Sequence, residues 1–218
     1  MSGGILKTAA LCGVCLLLAA RPAAAEWHFT PSFGVTFAGS TTLNDLQLGT
    51  GKRHFNFGGM VSHFGDGVIG VEGIVLYTRH FFEFDGPRDP LNPPPAAIAT
   101  SYSLSATGNL VLTVPKRWTE YFLRPYVSGG FGLLRAVSID QPSSTQESQH
   151  LYPVTANMPG FSIGAGAIGF FSQGTGIRFD VRYHGGLRRD PGSNPLNGTS
   201  SDLRLHYMTA EIGLVIRR

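Results

Sequence analysis

The chain has 218 residues, 42% hydrophobic, 11% aromatic and only 14% charged, with 29 glycines and 15 phenylalanines. A soluble domain carries about 25% charged residues, so the composition argues against an ordinary cytosolic enzyme. A mean hydropathy of +0.05 excludes a bundle of membrane-crossing helices, each of which needs about 20 apolar residues in a run.

The first 25 residues read as a secretory signal peptide. Lys7 gives a positive start, residues 9–20 are apolar, Arg21-Pro22 break the run, and Ala23-Ala24-Ala25 offer small residues for cleavage. Twelve apolar residues are too few to span a bilayer. Residues 26–218 then form a single domain. Both cysteines, Cys12 and Cys15, lie in the signal without a lipidation pattern. The mature chain therefore has no disulfide and no thiolate metal site. Without Lys7 and Arg21, the 17 basic residues fall to 15 against 14 acidic ones. A net charge of +1 provides no field for nucleic acid.

The mature chain alternates with period two, the pattern of strands with two different faces. In the first strand, Trp27, Phe29, Pro31, Phe33, Val35 and Phe37 oppose His28, Thr30, Ser32, Gly34 and Thr36. Residues 53–64 set Phe55, Phe57 and Val61 against Asn56, Met60 and Ser62, and 68–84 set Val71 and Val75 against Glu72 and Thr78. Residues 101–114 place Leu104, Leu110 and Leu112 opposite Ser103, Ser105 and Asn109, and 121–135 place Val127 and Phe131 opposite Arg124, Tyr126 and Ser128. Residues 160–171 pair Ile163 with Ser162 and Gly164, and 175–186 set Phe179 and Val181 against Arg178, Asp180 and Arg182. Residues 203–217 close the series with Ile212 and Leu214 against Glu211 and Gly213. This predicts eight strands and no helix after the signal.

Long polar connections (39–52, 85–100, 137–159, 187–200) alternate with short turns (65–67, 115–119, 172–175). Outer-membrane barrels have this asymmetry, with long loops outside the cell and short periplasmic turns. The polar face is mostly Gly, Ser, Thr and Asn, which suits a narrow filled lumen better than a wetted surface. Aromatics gather at strand ends: Trp27, Phe64, Trp118, Tyr121, Phe122, Phe170 and Phe171 toward the short turns, and Phe37, Phe55, Phe81, Phe82, Phe84 and Tyr102 toward the long loops. Two such belts match the interfacial girdles of membrane barrels. The expected fold is all-β, an eight-stranded antiparallel up-and-down transmembrane β-barrel.

The mature chain resembles the small eight-stranded outer-membrane barrels typified by the OmpA and OmpX membrane domains. Similar phrases are Arg124-Pro125-Tyr126 with Gly129-Gly130-Phe131-Gly132, Gly108-Asn109-Leu110, and 178–183. The chain departs from that family in ending Ile216-Arg217-Arg218, where a terminal Phe is common. The resemblance implies an outer-membrane location after cleavage near Ala25, contact with outer-membrane lipid, and a monomer.

The inward face carries Glu72, Asp180 and Glu211 against Arg124, Arg178 and Arg182. Counted from the short turns, or for Glu211 from the C-terminus, all six fall roughly 10–20 Å above the turn end. A balanced layer of salt bridges plugging the lumen is expected, since a selective pore is more naturally lined with one sign of charge. No catalytic signature stands out. His184 is followed by Gly185-Gly186, where a hydrolase of the lipid A deacylase type would need a nucleophile. No metal or cofactor spacing is present, and the glycines at 164–169 lack the strand–turn–helix setting of a dinucleotide site. The expected role is a scaffold presenting four loops to an outside ligand, the rivals being a small passive channel and a lipid A-modifying enzyme. A basic set, Arg53, Arg79, Arg135, Arg188, Arg189 and Arg204, makes lipopolysaccharide phosphates a candidate partner. Nearby acids (Asp45, Glu83, Asp85, Asp89, Asp140 and Asp190) dilute that set.

Overall fold

The computed structural model describes residues 26–41, 53–65, 67–81, 98–114, 123–140, 154–187, 191–192, 201–202 and 205–218. The expected signal peptide, the turn at 115–119 and most of the long connections lie outside the described residues. The strands are β1 (Glu26–Thr41), β2 (His54–Phe64), β3 (Ile69–Arg79), β4 (Ile98–Thr113) and β5 (Leu123–Asp140), then β6 (Val154–Phe170) and β7 (Thr175–Gly186). A two-residue pair, β8 (Pro191–Gly192) and β9 (Ser201–Asp202), follows, and β10 (Leu205–Arg217) ends the chain. β1–β7 and β10 close into one antiparallel barrel in the order β1-β10-β7-β6-β5-β4-β3-β2. Closure matters because lipid offers no partner to a free strand edge. At the seam, Trp27 and Arg218 exchange both backbone hydrogen bonds at 2.9 Å.

Register defines the shape. Following paired residues from Gly166 on β6 through Asp180, Glu211, Gly34, Asn56, Thr78, Ser103 and Ala136 returns to β6 at Ala156, ten residues away. A shear of ten over eight strands requires a tilt of about 40° and a wall radius of about 8 Å. So narrow a tube is filled by its own side chains.

The expected alternation is present on every barrel strand. Phe55 and Phe33 are 82% and 66% exposed, while Asn56 and Ser32 beside them are buried in the lumen. An apolar surface this extensive marks a wall facing lipid. Some expected boundaries move. β4 begins at Ile98, β5 runs on to Asp140, and β6 starts at Val154, so the third long connection shortens to 141–153. β1 carries an irregularity between Phe37 and Ser40, where Ala38 adopts φ = 50°.

Three residues expected in the aromatic girdles are elsewhere. Phe64 and Phe81 are fully buried, and Phe170 packs against the buried cluster around Phe64. Phe64 is even-numbered on a strand whose odd residues face out, so alternation sends it inward whatever its height. Trp118, Tyr121, Phe122, Phe82 and Phe84 lie outside the described residues.

Candidate functional site in the barrel lumen

Arg178, Asp180 and Arg182 occupy alternate positions of β7, so all three enter the lumen on one side. Glu72 enters from β3, four strands away around the eight-stranded wall and so directly opposite. The four side chains meet across the tube. Asp180 sits between its two neighbours: Oδ2 accepts from Arg178 Nη2 at 3.0 Å and from Arg182 Nη2 at 3.1 Å, and Oδ1 accepts from Arg182 Nε at 3.1 Å. Glu72 receives Arg178 Nη1 on Oε2 and Arg182 Nη2 on Oε1, the latter at 3.3 Å. Each arginine thus bridges both carboxylates, and two positive charges cancel two negative ones. All four residues are buried. Charges withdrawn from water are tolerated only when paired and hydrogen-bonded in this way.

Neutral groups from other strands complete the network. Tyr126 of β5 donates its hydroxyl hydrogen to Asp180, accepts from Arg178 Nε at 2.7 Å, and lies with its ring 4.4 Å from that guanidinium carbon. Ser62 of β2 donates to Glu72 at 2.8 Å, and Ser128 of β5 accepts from Arg182 at 2.9 Å. Ser162 of β6 accepts from Arg182 and donates to Asn109 of β4 at 2.6 Å. Six strands are tied together by one set of polar contacts.

The expected layer of six charges is therefore corrected to a core of four. Arg124 lies at the turn end, where its Nε donates to the Val114 carbonyl at 3.0 Å and its Nη2 to the Gly67 carbonyl at 3.2 Å, with the guanidinium 5.2 Å from the Phe64 ring centre. It is the second residue of β5, beside the turn carbonyls, and the shear carries it below the other charges. Glu211 is buried opposite Asp180 on the neighbouring strand, accepts from Ser32 at 2.9 Å, and leaves Oε1 without a hydrogen bond. Sequence reading placed Tyr126, Ser62, Ser128, Ser162 and Asn109 on the inward face but did not assign them to the site. Alternation alone reveals their direction, whereas the cross-strand register reveals their partners.

The network is capped by apolar side chains at both ends. Toward the turns stand Phe64, Val111, Ile168 and Val215, with Tyr126 joining them to the charges. Toward the loops stand Phe81, Leu134, Ala136, Met158, Leu205 and Tyr207. His184 is fully buried beneath that upper cap, stacked on Tyr207 at 4.9 Å, and neither ring nitrogen has a hydrogen-bond partner. Among the described residues, no three His, Cys, Asp or Glu side chains are arranged to hold a metal.

A closed shear-ten tube with an apolar wall and a filled polar interior has the fold of the small eight-stranded outer-membrane β-barrels. A solved structure agrees on the fold. Over 89% of this chain and 96% of theirs, the outer membrane protein OprG of Pseudomonas aeruginosa aligns with a TM-score of 0.52 at 15% identity. The N-terminal β-barrel domain of OprF from the same organism aligns with a TM-score of 0.48 at 14% identity, covering 89% of this chain and 97% of that one. Ail, the attachment invasion locus protein of Yersinia pestis, aligns with a TM-score of 0.48 at 14% identity, covering 89% and 98%. In sequence, the chain matches no family model and no curated protein.

Proposed function

We propose that the protein is a non-conducting scaffold of the bacterial outer membrane, exported through its signal segment and cleaved near Ala25, that presents its long connections to a ligand outside the cell. The observation that carries this reading is the plugged lumen: four paired charges cross the full width of the tube, and apolar clusters stand above and below them. Ions crossing such a lumen would have to displace both caps and compete with a satisfied network. The same geometry supports a non-enzymatic role, because His184 faces the sealed interior rather than lipid or solvent. The protein works as a monomer.

Its lipid partner on the loop side is lipopolysaccharide. Arg53, Arg79 and Arg135 are exposed near the loop ends of β2, β3 and β5, around a stacked Tyr77–Tyr102 pair with ring centres 5.4 Å apart. Guanidinium groups bind phosphate oxygens in two-pronged fashion, and tyrosines favour the membrane interface. Arg188, Arg189 and Arg204 lie outside the described residues.

The test is electrical. Purified, refolded protein in planar bilayers is expected to give no steady conductance, with barrel closure checked by heat-modifiable gel migration. A stable, ion-selective conductance overturns the scaffold reading in favour of a channel. Altered lipid A in the mass spectrum of a deletion strain overturns it in favour of an enzyme.

A further inference from the structure

Outward glycines are unevenly distributed around the wall. From 177 to 183 on β7, and along the outward positions of β10 and β1, there are none. On the opposite side, Gly73 of β3 lies directly across from Gly108 of β4, with Gly129 close by on β5. A Cβ added at Gly73 or Gly108 would meet nothing within 4 Å, and one at Gly129 only the Ser162 carbonyl oxygen at 3.7 Å. Packing within the barrel therefore does not require these glycines, although glycine weakens a strand. What they create lies outside: a groove of about 620 Å³ with Val71, Leu110 and Phe131 among its walls.

The lower rim of the groove is of a different character. Trp27 and His63 line it, with ring centres 4.5 Å apart. Arg218 is exposed and, one strand beyond the groove lining, is the backbone partner of Trp27 in the same lateral row. Gly73 is six residues beyond Gly67 in the turn, which at the barrel's rise and tilt is about 15 Å, half the thickness of a bilayer's hydrocarbon core. Gly73, in the groove floor, therefore lies about one leaflet deep, and the exposed Arg218 stands beside Trp27 on the turn side of the rim.

From this groove and its basic rim, we infer that the β2–β5 wall holds one phospholipid of the turn-side leaflet, its acyl chain lying over Gly73 and Gly108 and its anionic phosphate at His63 and Arg218. Depth and rim charge both favour a lipid over a second copy of the barrel, because the rim would set like charges against each other in a symmetric pair.

Native mass spectrometry of delipidated protein tests this, with phosphatidylglycerol or phosphatidylcholine added as probe. Wild type is expected to retain one phosphatidylglycerol. Gly73→Leu/Gly108→Leu fills the groove and lowers retention by about tenfold, whereas Ala210→Leu on the opposite wall leaves it unchanged. Should the double variant fail to show heat-modifiable migration, Val71→Ala/Leu110→Ala lowers the groove walls instead and is expected to lose the lipid likewise. His63→Ala/Arg218→Ser abolishes the preference for phosphatidylglycerol over phosphatidylcholine. Wild-type retention in the groove variants overturns the inference, as does an unchanged lipid preference in the rim variant. So does a wild-type dimer that disappears when the groove is filled.

Discussion

Neighbouring residues of β7 live in different solvents. Phe179 and Val181 are 56% and 48% exposed on the wall, while Arg178, Asp180 and Arg182 between and beside them are buried in the lumen. The wall holds apolar side chains that need no particular neighbour, since lipid contacts all of them equally well. The lumen holds charges whose tolerability depends on specific atoms of other strands. The same alternation thus generates a permissive surface and an exacting one, and substitutions on the two faces should differ accordingly.

The largest effect is expected at Glu72, the only network carboxylate from outside β7. Glu72→Ala leaves Arg178 and Arg182 to share Asp180 and strands positive charge in a dry tube, at a cost of about 3–5 kcal/mol. Urea unfolding in lipid vesicles measures this. Glu211→Ala should cost less, because Glu211 has a single described hydrogen bond and faces the like-charged Asp180. Equal losses at the two positions would show that Glu211 belongs to the network after all.

Next comes a charge on the permissive side. Val181 lies seven residues beyond Gly174, near the middle of the wall, so Val181→Arg should cost about 2–4 kcal/mol in lipid. The same substitution in mild detergent micelles, which deform around a charge, should cost less. A penalty that does not depend on the bilayer would mean that Val181 contacts protein rather than lipid.

The fold was legible in the sequence because its strongest signal is local. Alternation from Trp27 to Phe37, or from Ile177 to Tyr183, needs only adjacent residues. The site was half legible. Arg178, Asp180 and Arg182 share one strand, so period two brings them together without further information. Their meeting with Glu72 depends on a register built up over four strand pairs, and no local pattern encodes that. Height counted from the turns misplaced Arg124 for the same reason, because a shear of ten residues staggers the strands around the tube. Phe64, Phe81 and Phe170 were assigned to girdles by their distance from strand ends, although alternation already turned Phe64 inward.

Glycine allows the two faces to be compared at constant chemistry. Gly166 faces the lumen, and a Cβ there would collide with the Phe179 carbonyl oxygen and the Tyr126 hydroxyl. That hydroxyl also serves Asp180 and Arg178, so relief of the collision disturbs the charge network. Gly166→Ala is expected to cost about 1–3 kcal/mol, the usual penalty for overpacking. A cost near zero would mean that Tyr126 can move without harm and that its hydrogen bonds are dispensable.

Gly108→Ala is the smallest and most discriminating change. Its strand position is as regular as that of Gly166, and both replacements reduce the freedom of the unfolded chain by the same amount, a gain of about 0.4–1 kcal/mol where the native backbone accepts alanine. On the lumen side that gain is outweighed by the collision. On the wall, nothing lies within 4 Å of the new methyl, so the gain should survive and unfolding should show equal or slightly higher stability than wild type. The methyl also makes the groove shallower, so bound phospholipid should be partly lost from a barrel no less stable than before. Stability and lipid retention moving in opposite directions would separate a glycine kept for an outside occupant from one kept for packing. If Gly108→Ala instead destabilises the barrel as much as Gly166→Ala, the outer wall is as exacting as the lumen and the contrast between the two faces fails.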